Sequence, residues 1–440
     1  MDISSNDFAR DLIQFIDASP TPFHVVREVK RRLDEAGFHE LKESERWFLK
    51  EKRYYVIRGG TSLIAFITGS ETLPCFTGFK IIGAHTDSPT LKLKPNYLYD
   101  QAGYLQLGVE PYGGGVWRTL LDRDLYIAGR VVVRTRDGKI SSHLVEMKDC
   151  IVSVPGQAIH LDRTVNEGGA INNQSDLPVI VALEGIKNSD LFNRAILDSC
   201  SLFGSEILSS TLSLCSTESG IITGLNREFI RSGQLDDLAS CHQAIMALIS
   251  RENTPTTCIV SLLDHEEVGS NTSQGAGGSF LMNVLERIVE TATGTVRKND
   301  FQRMIAKSFY ISADMAHSVH PNHISKHDPR HLITIGGGPV VKRNADQHYA
   351  TDDITAAIFV NLCDIAGVKY QMFVSRSDAR CGSTIGPITA SKLGISVVDV
   401  GNPMFAMHSI REQCGVEDHL AMEKVFETFF AREQEEVIEE

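Results

Sequence analysis

Phe8, Leu12, Phe15 and Ile16 fall at helical spacing near the N-terminus, and Asn6 or Ser5 is placed to cap the helix they predict. After the loop SPTPFH, Pro22 suits an early helical position, and Phe23, Val26, Val29 and Leu33 mark a second apolar stripe. Residues 52 to 84 read as strands that end in FKIIGAHTDSP. From about residue 94 to 232 the texture changes. DLYIAGRVVVRTRDGKISSHLVEM reads as a strand, an Asp137-Gly138 turn and a second strand, and GVEPYGGGVW as a glycine-rich turn. From about residue 236 helices alternate again with short apolar runs. Leu238, Cys241, Ile245 and Leu248 have helical spacing, while TTCIVSLL, SFYISA and GISVVDV are β-rich. A last amphipathic helix near 417–432 is expected to bury Leu420, Phe426 and Phe430 before a solvated acidic tail, EQEEVIEE. The pattern predicts an α/β domain made of 1–93 and 233–440, interrupted by a mainly β insertion at 94–232.

Composition narrows the picture. The chain has 440 residues, 42% hydrophobic and 22% charged, the balance of a soluble globular protein. Lys plus Arg is 43 against 56 for Asp plus Glu, a net charge of −13. An acidic chain argues against nucleic acid as the main partner, because phosphate binding needs a basic surface. The first twenty residues have no apolar signal core, and no later run is long enough to span a bilayer, so no membrane partner is expected. Nine cysteines with no Cys-x-x-Cys pair speak against a disulfide framework and for a reducing cytoplasm, with the thiols as small buried residues.

The candidate chemistry sits where apolar runs end. FKIIGA is followed by His85-Thr86-Asp87, and CIVSLL by Asp264-His265-Glu266-Glu267. FYISA is followed by Asp314-Met315-Ala316-His317, and ISVVDV by GNPMFAMHS with His408. Ligands bind beyond the carboxyl ends of strands in open α/β sheets, so if these runs are neighbours the four clusters face one crevice. Packed carboxylates repel, and a divalent cation relieves the conflict. His and Asp/Glu ligation without Cys suits zinc, manganese or cobalt at a catalytic site. Two such ions would need about five or six ligands, one of them bridging. Glu266 and Glu267, being adjacent, point different ways: one can bind metal while the other moves protons. Any single cluster is more often a cap or a solvated turn, and Pro321 breaks the helix that would align His317, His320 and His323. There is no His-Glu-x-x-His zinc helix.

GAHTDSPTLKLKP, LDDLASC, LDHEEVGS, SADMAHSVHPNH, GPVVKRNADQHYATD and GSTIGPITASKLGISVVDVGNPMFAMHSIRE together resemble the aspartyl aminopeptidases, dizinc exopeptidases of the cytoplasm and related compartments. The similarity runs over nearly the full length. It implies a three-layer zinc-exopeptidase-like catalytic domain, with the β insertion serving dimerisation. It also implies two divalent ions, most simply Zn2+. By resemblance His85, Asp236, Glu267, Asp314 and His408 are metal ligands, with Asp236 the bridging carboxylate. Asp87 orients the His85 imidazole, and Glu266 is the general base. Where the family's pattern reads Leu-Asp-Asn this chain has Leu-Asp-Asp, so Asp237 is left unassigned. His160, in VPGQAIHLDR, resembles a residue lent to a neighbouring subunit's active site, and Lys342 the lysine that meets an acidic substrate side chain, with Arg343 as the near alternative. The implied assembly is a tetrahedral dodecamer, and the implied substrates are peptides with unblocked N-terminal Asp or Glu. A dizinc aminopeptidase or deacylase of other specificity, and a metal-binding scaffold without turnover, are the alternatives. The scaffold reading is disfavoured because a scaffold needs neither Glu266 nor Asp87.

Overall fold

Neighbouring residues along each central strand bury on opposite faces, which requires helices on both sides of the sheet. The computed structural model describes residues 4–69, 77–183, 189–293 and 298–432. Nine strands form one sheet in the order His39–Leu41, Arg53–Arg58, Ser62–Ile67, Thr257–Leu263, Phe79–His85, Phe309–Ala313, Ser396–Gly401, Val340–Arg343 and Gln371–Val374. From Thr257–Leu263 to Ser396–Gly401 the pairing is parallel throughout. The four apolar runs that precede the polar clusters are therefore neighbours. Ile82, Val260, Ile311 and Val398 pack on one face against the helices Ser5–Asp17, Pro22–Glu35, Leu235–Ile249, Asp353–Ala366 and Val416–Ala431. Ile81, Ile259, Tyr310 and Val397 pack on the other face against Phe280–Thr293 and Ile385–Leu393. The result is the expected three-layer, zinc-exopeptidase-like arrangement.

The two N-terminal stripes bury as their spacing predicts. The cap differs. Ser4, with an extended backbone, accepts the Asp7 N–H on its hydroxyl at 3.2 Å, so Ser5 and Asn6 lie inside the first turn. In the last helix Phe426 and Phe430 are fully buried, whereas Leu420 is only half-buried. The acidic tail at 433–440 lies outside the described residues.

A second sheet has six strands in the order Ile140–Glu146, Leu125–Arg134, Glu206–Ser216, Thr90–Gln101, Tyr104–Tyr112 and Val179–Leu183, all antiparallel. It closes on its own core, which includes Leu91, Leu107, Ile127, Val131 and Leu212. Its Asp137-Gly138 hairpin forms as predicted, with Arg134 opposite Ile140 and Gly138 at φ 82°. A third sheet joins Ile221–Thr223, Phe229–Ser232, Glu412–Gly415, Pro403–Phe405 and Ala316–His317. All cysteines among the described residues are free. No helix among them is long and apolar enough to cross a membrane.

One buried acid in the last helix makes stability depend on pH. The Glu423 carboxyl is pushed up to about 8 by burial and by the neighbouring Glu427. Its folded-state value lies above the unfolded one, so the folded chain holds this proton more tightly. The contribution is complete below about pH 4.5 and is lost as pH rises through about 8. Glu423→Gln should therefore gain thermal stability over the unsubstituted chain as pH is raised from 5 to 9, read as the difference in Tm. An equal Tm difference at both ends of that range would refute the assignment.

Candidate metal centre

His85 is the last residue of its strand and is 1% exposed. Gly83 pairs with Ser312 in the next strand, and continuing that register brings Asp314 abreast of His85. After Thr257–Leu263 the chain turns sharply through His265, which is in the left-handed region at φ 67°, into the 3-10 turn Glu266–Val268. Asp264 takes no part in the cluster: its Oδ1 accepts the His265 N–H at 2.8 Å. His408 is also left-handed, at φ 66°. Asp236 opens the helix Leu235–Ile249 with non-helical torsions (φ −83°, ψ 106°), so it is no ordinary capping residue.

Three buried carboxylates hold these turns by their backbone amides. Asp87 accepts the N–H groups of Glu266 on Oδ1 and Glu267 on Oδ2, each at 3.1 Å. Glu412 accepts the His408 N–H on Oε1 at 2.6 Å and the Asp236 N–H on Oε2 at 3.1 Å. Asp237 accepts the His85 N–H on Oδ2 at 3.1 Å. Buried backbone donors at such turns need acceptors, and these carboxyl oxygens supply them.

Side chains converge inside this frame. Asp236 Oδ1 lies 3.4 Å from His85 Nε2, and Asp236 Oδ2 lies 3.2 Å from His408 Nε2. His408 Nε2 is also 3.1 Å from Glu267 Oε1. Ligand atoms of His85, Asp236, Asp237 and Asp314 fall within 4.8 Å of one another; so do those of Asp236, Glu267 and His408, and those of His85, Glu266 and Glu267. Asp236 thus belongs to two donor sets, one oxygen facing each imidazole. Asp236 Oδ1, Asp237 Oδ1 and Glu267 Oε1 are buried without a hydrogen bond. Orphaned buried oxygens of this kind fit a bound cation, and mixed imidazole and carboxylate donors suit zinc. His85 Nδ1 is 3.0 Å from the Asp87 carbonyl oxygen and 3.5 Å from its carboxylate Oδ1, so the backbone oxygen is the nearer partner of the ring.

The electrostatics show how much positive charge the protein alone must borrow from protons. Burial raises the Glu266 carboxyl to about 8, with Asp314, Glu267 and Asp236 adding to the rise against the pull of His85. Burial also lifts Asp314 to about 6, although Lys342 opposes it. Burial works against charging His408, yet the Asp236 and Glu267 carboxylates close beside it push it up to about 11. His85, fully buried, is likewise raised well above the usual imidazole range by Asp237, Asp236 and Asp87. A divalent cation would supply the charge that these protons supply in its absence.

The structure thus brings together His85, Asp236, Glu266, Glu267, Asp314 and His408, with Asp87 beside them. Lys342 approaches from the strand Val340–Arg343: it is 3% exposed, with Nζ 3.6 Å from Asp314 Oδ2. Arg343 is exposed. His160 stands exposed in the loop between the second sheet's strands Ile140–Glu146 and Val179–Leu183, and it belongs to none of these donor sets. His317 and His323 are exposed, and the rings of His320 and His323 meet at a tilt, 4.8 Å between centroids. Sequence reasoning passed over Glu412 and the amide-holding part of Asp237. Glu412 lies in the polar stretch HSIREQ, where nothing in the sequence sets it apart.

A three-layer sheet with buried imidazole and carboxylate donors beyond its parallel strands defines a zinc-exopeptidase-like metallohydrolase. The chain belongs to the M18 aminopeptidase family, whose model, described as Aminopeptidase I zinc metalloprotease (M18), matches residues 15–430. It is a zinc-dependent aminopeptidase. A probable M18 family aminopeptidase 2 of Pseudomonas aeruginosa is 45% identical over 425 residues, covering 96% of this chain and 97% of that protein. Among solved structures, the chain in the cryo-EM structure of the Ape4 and Nbr1 complex superposes with a TM-score of 0.92 at 36% identity, covering 97% of this chain and 86% of that one. The mApe1 dodecamer of S. cerevisiae gives a TM-score of 0.83 at 31% identity, with 96% of each chain covered.

Proposed function

We propose that this chain removes unblocked N-terminal Asp or Glu from peptides, using a pair of zinc ions held by His85, Asp236, Glu267, Asp314 and His408. The observation that carries the two-metal reading is Asp236, whose two oxygens face His85 and His408 at 3.4 and 3.2 Å. When bound, the ions supply Lewis-acid polarisation of the scissile carbonyl and a nucleophilic water near neutral pH. The protein residues do the rest. Glu266, held by Asp87 through its backbone, takes a proton from the attacking water and hands it to the leaving amine. The carboxylates around Asp314 and Asp237 attract the free α-ammonium group, which selects an unblocked N-terminus. Lys342, buried and 3.6 Å from Asp314, offers the cation that an acidic side chain requires. His160 is exposed in this chain, and in an oligomer it would serve a neighbouring copy by hydrogen bonding to the developing oxyanion.

A relative solved as a dodecamer supports a homo-oligomer, with the division into 1–93 plus 233–440 and an inserted 94–232 giving the second sheet the contact role. Free cysteines throughout the described residues support a reducing compartment, the cytoplasm. The direct test measures zinc per chain together with cleavage of N-terminal Asp and Leu substrates. Two ions and a clear preference for Asp are expected, and equal rates on both substrates would refute the acidic specificity. Lys342→Met should raise KM for Asp substrates by roughly 10- to 100-fold, the scale of a lost hydrogen bond to a charged group, and leave Leu substrates nearly unchanged. Equal losses on both would remove Lys342 from the pocket.

A further inference from the structure

The segment that ends the strand Tyr104–Tyr112 of the second sheet reaches the metal centre at several points. Tyr112 donates its hydroxyl proton to Asp87 Oδ2 at 2.7 Å. Its ring is fixed by Lys92, whose Nζ sits 3.4 Å from the ring centroid. Gly113 follows at φ 75°, and a Cβ there would stand 3.1 Å from Cβ of Glu267, so only glycine lets the strand end approach this closely. The Gly114 carbonyl lies 3.1 Å from His408 Nδ1. A carbonyl can only accept, so this bond puts the ring proton on Nδ1 and leaves Nε2 to face Asp236 and Glu267. The Val116 N–H donates to the His408 carbonyl at 2.9 Å.

These contacts fall on both sides of the centre. Asp87 Oδ2 receives the Tyr112 hydroxyl and the Glu267 amide, while Oδ1 receives the Glu266 amide. The phenol therefore sets the rotation of the carboxylate that anchors the Glu266–Glu267 turn. Removed, it would leave Oδ2 with one donor fewer and the carboxylate freer to swing toward His85 Nδ1, 3.5 Å away.

We propose that Tyr112 is a positioning residue for the peptidase reaction: from a separate sheet, it locks Asp87 in the orientation that places Glu266 and Glu267. The proposal rests on the two-metal aminopeptidase reading given above. The test is Tyr112→Phe in the full chain, a change of one oxygen atom that keeps the ring beneath Lys92. Zinc affinity is measured by competition with a chromophoric chelator, kcat and KM with an N-terminal Asp substrate, and Tm on chelator-treated protein. Partners one shell out from a metal commonly contribute 10- to 100-fold to affinity or activity. The expected result is a zinc affinity lower by roughly that factor and a kcat at least about tenfold lower. KM should stay within about twofold, and the metal-free Tm should fall only by the modest amount that one lost hydrogen bond to a carboxylate brings. Unchanged zinc affinity and kcat would overturn the proposal, whether or not the Tm falls, because a purely packing role moves only the Tm. Failure of the unsubstituted chain to take up zinc or release an N-terminal residue would overturn both the proposal and the reading beneath it.

Discussion

Glu266→Gln should keep its zinc and lose turnover by roughly 100- to 10,000-fold, the usual contribution of a positioned acid–base group. Gln is nearly isosteric with Glu, and the bond that seats this residue runs from its backbone amide to Asp87 Oδ1, which the substitution leaves intact. What disappears is the ability to accept a proton from water and release it to an amine. Glu266 shares one donor set with His85 and Glu267, whereas the sets containing Asp236 do not include it. Metal content near the unsubstituted level is therefore expected, measured as zinc per chain beside kcat on an N-terminal Asp substrate. Near-normal turnover would take the base role from Glu266. Loss of zinc alongside activity would recast it as a ligand.

Asp236→Asn should do the opposite and empty the centre. Its two oxygens face the two imidazoles at 3.4 and 3.2 Å, and an amide nitrogen in place of one oxygen presents hydrogens where a cation needs a lone pair. The backbone bond from residue 236 to Glu412 survives, so the fold around the site should persist. Zinc content should fall to one ion per chain or fewer, activity should drop to background, and excess zinc should restore little. The affinity loss should exceed the roughly 10- to 100-fold typical of an outer partner. A variant that retains two ions per chain at unchanged affinity would show that Asp236 does not bridge.

Much of this centre was legible because a parallel strand buried on both faces reads as an unbroken apolar run. A charged residue at the end of such a run, as at His85, Glu267 and Asp314, stands out against it. Asp236 was hidden because a helix, with no preceding apolar strand, carries it, and only the family resemblance brought it in. Glu412 and Tyr112 were hidden for another reason. Each acts by meeting a group distant in sequence, Asp236 in one case and Asp87 in the other, and no local periodicity records such a meeting. The third sheet escaped because its strands are two to four residues long, too short to show alternation. The first helix was missed by one or two residues at its cap, the ordinary margin at helix ends.

The pairing of the central strands has a further consequence for what the sequence can tolerate. His85 lies opposite Leu263, and the neighbouring strand is aligned through Gly83 and Ser312. A slip of one residue there would displace Asp314 by about 3.3 Å along the strand and turn it to the opposite face. A zinc–carboxylate bond is only about 2.0–2.2 Å long. Valine, isoleucine and leucine can trade places within these strands at modest cost, since any of them fills the interior. The number of residues between the core of each strand and its terminal donor has no such latitude, so counting errors rather than exchanges of side chain are what this centre can least absorb.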